Sequence, residues 1–367
     1  MHLERIRLFN FNNYAEAEIQ FHEDMNALTG SNGMGKTNML DAVYYLCIGK
    51  SYFSSGDRYV VKKEEASFSC AGDFLLENGR EKVEIKVTPG KKKEIALSGK
   101  KRERLSDHIG RFPCVIIAPI DIQLMLEGSE ERRKFLDNTI MQYNRSYVDS
   151  ILTYNRLLKQ RNATLKAFAE KGYEHKELLD SISAGMFKPA EKVYQGRKEL
   201  IQIISPLFEK YYRLLSDDSE FCQLEFKSQL HNESLGNLLE QNYEKDKILC
   251  RTLAGIHKDD LTLKMNGTQL KNYASQGQLK SVILALKLAQ YELLNEKNEN
   301  RPILILDDVF DKLDRSRVEH LIQIVSEKNI GQVFISDTHN DRVPELLKKL
   351  NVQHAHYNVV DGRLNRV

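Results

Sequence analysis

Met25-Asn26-Ala27-Leu28-Thr29-Gly30-Ser31-Asn32-Gly33-Met34-Gly35-Lys36-Thr37 is the stretch on which the reading of this chain turns. Its last eight residues fit G-x-x-x-x-G-K-[ST], a glycine-rich loop whose backbone amides cradle phosphates. Gly30, Gly33 and Gly35 put no Cβ in the way of a phosphate, and Ser31, Asn32 and Met34 complete the cradle. Lys36 is expected to reach the β- and γ-oxygens, and the Thr37 hydroxyl to bind Mg²⁺. An apolar strand leads into the loop, and Asn38 to Leu46 follow with apolar residues at helical spacing. Strand, loop and helix together aim amides and a helix dipole at an anion. A chance glycine-rich turn would lack both neighbours.

Two distant stretches extend the pattern. Ile303-Leu304-Ile305-Leu306-Asp307-Asp308 is an aliphatic run ending in two carboxylates, the form of a buried strand that delivers an acid to Mg²⁺. Asp307 is the expected metal ligand, and Asp308 stands where a base can orient or deprotonate an attacking water. The plainer alternative for the pair is a helix cap. Ser275-Gln276-Gly277-Gln278, about 240 residues beyond the loop, opens a helical stretch from Leu279 to Leu294. A hydroxyl and free amides at a helix start make an anion site, although capping alone also accounts for Ser275. The distance between loop and second stretch leaves room for an inserted arm.

The 367 residues suffice for two or three domains. Apolar residues make up 41% and charged residues 29%, as in a water-soluble globular protein. A net charge of +2 means that any nucleic-acid binding must come from a local patch. Cys47, Cys70, Cys114, Cys222 and Cys250 are scattered without a C-x-x-C pair, which favours small buried side chains over a zinc site. Met1-His2-Leu3-Glu4-Arg5 meets charge at once, unlike a signal peptide. No apolar run approaches the roughly 20 residues of a membrane span. The expectation is a cytoplasmic protein with no membrane partner.

Residues 1–30 read as strands, and Ser67 to Leu97 as an antiparallel meander. That meander contains an Asn78-Gly79 hairpin turn and a turn at Thr88-Pro89-Gly90. Tyr147, Ile151, Tyr154, Leu158 and Leu165 keep helical spacing. So do Leu179, Ile182, Met186, Val193, Leu200, Ile204, Leu207, Tyr211 and Leu214, with Pro189 and Pro206 expected to bend or break the helix. Joined near Lys171-Gly172, the two helices predict a hairpin arm at most roughly 50 Å long. Strands return near Leu261 to Gly267, with an Asn266-Gly267 turn, and again at Gln332 to Ser336. The predicted fold is α/β: an ATPase head with a mixed sheet and flanking helices, at 1–118 and 252–367. A helical, coiled-coil-like arm occupies 119–251.

The combination resembles the ABC-type ATPase heads of the structural-maintenance-of-chromosomes (SMC) and Rad50 group, and within it most closely the RecF family. The resemblance covers nearly the whole chain. It runs through Leu8-Phe9-Asn10-Phe11-Asn12-Asn13-Tyr14, the phosphate loop, Glu127-Gly128 and Arg132-Arg133-Lys134-Phe135-Leu136-Asp137. It continues in Lys159-Gln160-Arg161-Asn162, Gly255-Ile256-His257-Lys258-Asp259-Asp260, Ser275 to Gln278 and Leu306 to Asp314. Three positions depart from the family pattern: Asn12 stands for Arg, Ile256 for Pro, and Asp311 for Ser.

The resemblance implies that ATP joins two copies of the chain, with Ser275, Gln276 and Gly277 of one completing the ATP site of the other. Aspartate at 308, where many such ATPases carry glutamate, implies slow, DNA-dependent hydrolysis used as a switch. His339 in Asp337-Thr338-His339 resembles a switch histidine that senses the γ-phosphate; a surface or cap histidine is the alternative. Gln123 is either a glutamine-loop residue linking head and arm or an exposed helix position. The implied role is gap repair and replication restart, with single-stranded, gapped and duplex DNA as ligands. RecR and RecO are the implied partners, and recombinase loading the outcome. The basic clusters Lys91-Lys92-Lys93, Lys100-Lys101-Arg102 with Arg104, and Arg132-Arg133-Lys134 are candidate DNA contacts. Each can equally be a solvated face, and Arg132 and Arg133 can instead pair with acids of the arm. Two other classes remain open. A transporter ATPase would place its signature closer to the loop, and the ATPase of a nuclease or phage-defence complex would share this head.

Overall fold

Every residue of Met25–Thr29 and of Ile303–Leu306 is buried, as parallel strands covered on both faces require. The computed structural model describes residues 1–172, 174–216, 221–265, 267–270, 274–310, 315–327 and 330–367. Asn266 and Asp311 lie outside them. The chain divides into two units, 1–122 with 210–219 and 275–367, and 123–209 with 220–274.

The first unit begins with β1 (His2–Phe11), β2 (Tyr14–Gln20), β3 (Met25–Thr29) and α1 (Lys36–Ile48). There follow β4 (Phe68–Leu76), β5 (Gly79–Val87), β6 (Glu94–Leu97), β7 (Lys100–Arg102) and β8 (Cys114–Ile117). The second unit contributes α2 (Gln123–Leu126), α3 (Ser129–Met141), α4 (Arg145–Lys171) and, through residue 209, α5 (Lys176–Ser216). It continues with β9 (Cys222–Lys227), α6 (Leu235–Gln241), α7 (Tyr243–Leu249), β10 (Asp260–Met265) and β11 (Thr268–Gln269). The chain then returns to the first unit with α8 (Gln276–Lys297), β12 (Ile303–Leu306), α9 (Arg315–Glu327) and β13 (Val333–Asp337). It closes on α10 (Arg342–Lys349), β14 (His354–Val360) and β15 (Arg363–Arg366).

Two six-stranded sheets organise the first unit. One has the order β15-β14-β3-β13-β12-β8 and is parallel except at the β14–β15 hairpin. The other, β2-β1-β4-β5-β6-β7, is antiparallel. Helix α1 touches both sheets, meeting β1, β4 and β5 on one side and β8 and β13 on the other. Eleven of its thirteen residues are buried, the pattern of a helix covered all round. Its apolar side chains join β1, β4, β5, β8 and β12 in one core.

The hairpin turn of the meander lies one residue earlier than the Asn-Gly rule predicts. Leu76 pairs with Gly79, so Glu77 and Asn78 form the loop, and of Asn78 and Gly79 only the glycine has positive φ, at 120°. In the second unit α4 and α5 run antiparallel, as the contact of Gly185 with Leu157 and of Gly196 with Tyr147 requires. Helix α5 runs unbroken through Pro189 and Pro206 for 41 residues, about 60 Å at 1.5 Å per residue and longer than the arm expected. Each proline removes one N–H, while a buried stripe through Met186, Val193, Leu200, Ile204 and Phe208 holds the helix. Leu214, read as part of that stripe, is 49% exposed, and Leu215 is buried instead. The unit boundary also differs from the expected 251/252. Strand β10 pairs with β9 in a three-stranded sheet of the second unit, so residues through 274 belong with it.

Candidate nucleotide-binding site

Strand register assembles the site. Thr29 pairs with Asp337, and Leu306 with Ile335, so β3, β12 and β13 end side by side at the carboxyl edge of the sheet. That edge is where open α/β sheets bind ligands. The chain leaves β3 at Gly30, with φ 139°, where an added Cβ would lie 2.5 Å from the Val359 carbonyl oxygen. Gly35, φ 115°, would carry its Cβ within 2.6 Å of the Asn13 amide. Both positions demand glycine. The loop is braced from the β1–β2 turn and the start of β2, since the Asn13 amide and the Tyr14 hydroxyl donate to the Met34 and Gly35 carbonyls at 3.3 and 3.0 Å.

Lys36 is 6% exposed and folds back over the loop, donating to the carbonyls of Gly30 at 2.5 Å and Ser31 at 2.9 Å. Burial lowers its pKa, opposed by the carboxylates of Asp308, Asp307 and Asp337. The Thr37 hydroxyl lies 3.1 and 3.0 Å from the two oxygens of Asp307. Ser336 at the end of β13 donates to Asp307 at 2.6 Å and accepts the Asp308 N–H at 2.9 Å. Burial raises the Asp307 pKa, and the hydrogen bonds from Ser336 and Thr37 act the other way. A threonine hydroxyl beside a carboxylate offers two hard oxygen ligands, the set Mg²⁺ uses together with phosphate oxygens. A cavity of about 140 Å³ has Lys36, Thr37, Asp307, Asp308 and Ser336 on its wall. The first and third sequence stretches therefore meet. Ser336 had no part in the sequence reading, and its signal is only a hydroxyl ending an apolar strand.

Ser275, Gln276 and Gly277 do not line that cavity. Ser275 caps α8 in a reciprocal box with Gln278, accepting at 3.2 Å and donating its own N–H at 2.7 Å. Ser275 and Gln276 are exposed. His339 is also exposed, and its backbone N–H donates to Asp337 at 3.1 Å. Gln123 is the first residue of α2 and of the second unit, partly buried rather than fully exposed. Asn12 hydrogen-bonds the buried Asp41. Burial raises the Asp41 pKa to about 6.

The basic clusters divide. Arg132 pairs with Asp260 at 2.7 and 3.1 Å, Arg133 donates to Ser129 and the Asp259 carbonyl, and Lys134 meets Glu130 and Glu131. That run is engaged by partners within the second unit, the alternative open to it from the sequence. Lys93 turns inward to the Gly49 carbonyl, Asp57 and the Tyr45 ring. Lys91, Lys92, Lys100, Lys101 and Arg104 are exposed.

The chain matches the family described as RecF/RecN/SMC N terminal domain over residues 2–360. It is 38% identical to the DNA replication and repair protein RecF of Flavobacterium johnsoniae, covering 98% of this chain and 100% of the relative. The chain belongs to the RecF family. It is likewise 40% identical to the RecF of Cytophaga hutchinsonii over 93% of this chain and 90% of that protein. Among solved structures it resembles the recombination mediator protein RecF with ATP in the RecFOR pathway. There the TM-score is 0.90 at 27% identity, covering 100% of this chain and 97% of the other. The SMC head domain of Pyrococcus furiosus shares the fold, with a TM-score of 0.58 at 17% identity over 100% and 96% of the two chains. The RecF resemblance and the α/β head therefore hold. No described helix is long and apolar enough to cross a membrane.

Proposed function

We propose that this chain is an ATP-switched, DNA-binding mediator of recombinational repair and replication restart. The observation that carries this reading is the grouping of Lys36, Thr37, Asp307, Asp308 and Ser336 at the carboxyl edge of the parallel sheet in a RecF-family chain. The loop from Gly30 to Gly35 and Lys36 bind the triphosphate of ATP, amides toward the phosphates and ammonium toward the β- and γ-oxygens. Thr37 and Asp307 hold Mg²⁺, which neutralises charge on the phosphates. Asp308 orients the attacking water or accepts its proton, so turnover is slow and serves as a switch rather than metabolism.

Ser275, Gln276 and Gly277 complete the site of a second copy. The exposure of Ser275 and Gln276 and the place of all three at the start of a 22-residue helix support a role across a homodimer interface. ATP then favours the dimer by mass action, and hydrolysis releases it. Dimerisation presents the exposed lysines to DNA as a salt-sensitive backbone grip without base reading. The similar RecF structure belongs to the RecFOR pathway, which supports RecR and RecO as partner proteins here, with gapped DNA as the substrate on which they meet. Binding to gapped and duplex DNA, with and without ATP and Mg²⁺ across a salt series, tests the reading. Tighter binding with ATP, absent in Lys36→Ala and weakened by salt, is expected. Binding indifferent to ATP would separate the ATPase from DNA.

A further inference from the structure

The last hairpin of the chain reaches the phosphate loop. Val360 pairs with Arg363 across β14 and β15, so Asp361 and Gly362 form a two-residue turn, with φ 47° and 70°. Positive φ at both central residues marks a type I′ turn. The Gly362 N–H donates to the Met34 carbonyl at 3.0 Å, and the Asn13 side chain donates to the same oxygen at 3.3 Å. Gly362 and Asn13 are also neighbours, since a Cβ on the glycine would lie 3.3 Å from the Asn13 carbonyl oxygen.

One carbonyl held by two donors fixes a peptide plane. A trans peptide is planar, so its C=O and N–H point in opposite directions. The Met34 carbonyl and the Gly35 N–H share one such plane. Gly35 borders the phosphate cavity, whereas Met34, Asn13 and Gly362 do not. Donors that draw the Met34 carbonyl away from the cavity therefore turn the Gly35 N–H toward it. Gly35, at φ 115°, has no Cβ to oppose a flip of that peptide, so the direction of the amide depends on what holds the carbonyl.

We infer that the Asp361-Gly362 turn and Asn13 are positioning elements of the nucleotide site, holding the Met34 carbonyl so that the Gly35 N–H is aimed at a phosphate oxygen. The inference rests on the nucleotide reading above. It gives residues at the far end of the chain a part in phosphate binding.

The turn can be reversed without removing it. Asp361→Gly with Gly362→Ser favours a type II′ turn, which needs positive φ only at its first central residue. Its central peptide faces the other way, which takes the N–H of residue 362 away from Met34. Asn13→Ala removes the second donor at an exposed site. Met34-Gly35 is the one Met-Gly pair in the chain, so ¹³C′-methionine with ¹⁵N-glycine labelling isolates the Gly35 amide in an NMR spectrum. In wild type that proton should move downfield when ATP or inorganic tripolyphosphate binds with Mg²⁺. Loss of one hydrogen bond to a charged group corresponds to about 10- to 150-fold in affinity. Both ligands should weaken by that factor in the turn variant combined with Asn13→Ala, and the Gly35 proton should stop short of its wild-type position at saturation. Asn13→Ala alone should move it part of the way, which keeps the test decisive if the combined variant folds poorly. Wild-type affinity in the combined variant overturns the inference. So does weaker binding in which the Gly35 proton still reaches its wild-type position, the result expected of a hairpin that serves stability alone. If wild type binds neither ligand, the nucleotide reading itself fails.

Discussion

Asp308 has φ 48°, a left-handed conformation that aspartate tolerates better than most residues but that still costs energy. Its N–H is held by the Ser336 hydroxyl, which also serves Asp307. One serine thus fixes both carboxylate-bearing residues, and the strain is spent turning Asp308 toward the loop cavity. Asn also accepts a left-handed backbone, so Asp308→Asn should fold and bind ATP as wild type does. If Asp308 is the base, single-turnover hydrolysis at saturating ATP should fall by about 100-fold or more. Unchanged hydrolysis would remove Asp308 from the chemistry.

Between elements of the second unit, buried charges do the holding. Arg161 on α4 is 1% exposed and donates to Ser183 on α5 at 3.1 Å, and to Asp246 on α7 and Thr252 at 2.7 Å each. Removing one member of such a pair leaves a charge buried alone. Arg161→Ala should therefore cost about 3–5 kcal/mol in urea unfolding. Arg161→Met combined with Asp246→Leu should cost less than Arg161→Ala, because no charge is stranded. His257 supplies a pH dependence. Its Nδ1 accepts from the Tyr154 hydroxyl at 2.8 Å and its Nε2 donates to the Thr252 carbonyl at 3.0 Å, and burial pushes its pKa down to about 4. The unfolded chain, near 6.5, binds a proton that the folded one refuses between these values. Stability should accordingly fall as pH drops from about 6.5 to 4, by up to roughly 3 kcal/mol from this group. His257→Gln should flatten that part of the urea midpoint against pH, and an unaltered slope would contradict the assignment.

At the scale of the molecule, a formal charge of +2 gives no global pull on DNA, so ATP-driven pairing of two copies is what would gather enough cations in one place. Ser275→Arg tests that coupling. It puts a bulky cation at the exposed start of α8, which does not line the cavity that holds Lys36. ATP binding should stay at the wild-type level, while ATP-dependent dimerisation, followed by sedimentation, should be lost. Dimerisation of this variant with ATP would defeat the composite site.

The sequence by itself determined the nucleotide head. The Gly30–Thr37 loop between strand and helix, and the aliphatic run into Asp307, are local patterns whose chemistry is set by neighbours along the chain. Strand Ile303–Leu306 and the burial of α1 followed from them directly. Tertiary structure decided what depends on partners distant in sequence. Ser336 acquired its role through the register of β12 against β13. Arg132, Arg133 and Lys93 look alike as charge runs, yet each is consumed by an acid, a hydroxyl or a carbonyl that only folding brings near. Helix α5 kept two prolines because packing along its apolar stripe outweighs the lost hydrogen bonds. Residues 252–274 left the head because β10 found its hydrogen-bonding partner in β9. Spacing along a chain specifies which face a side chain occupies; the group that meets it there is chosen by the rest of the fold.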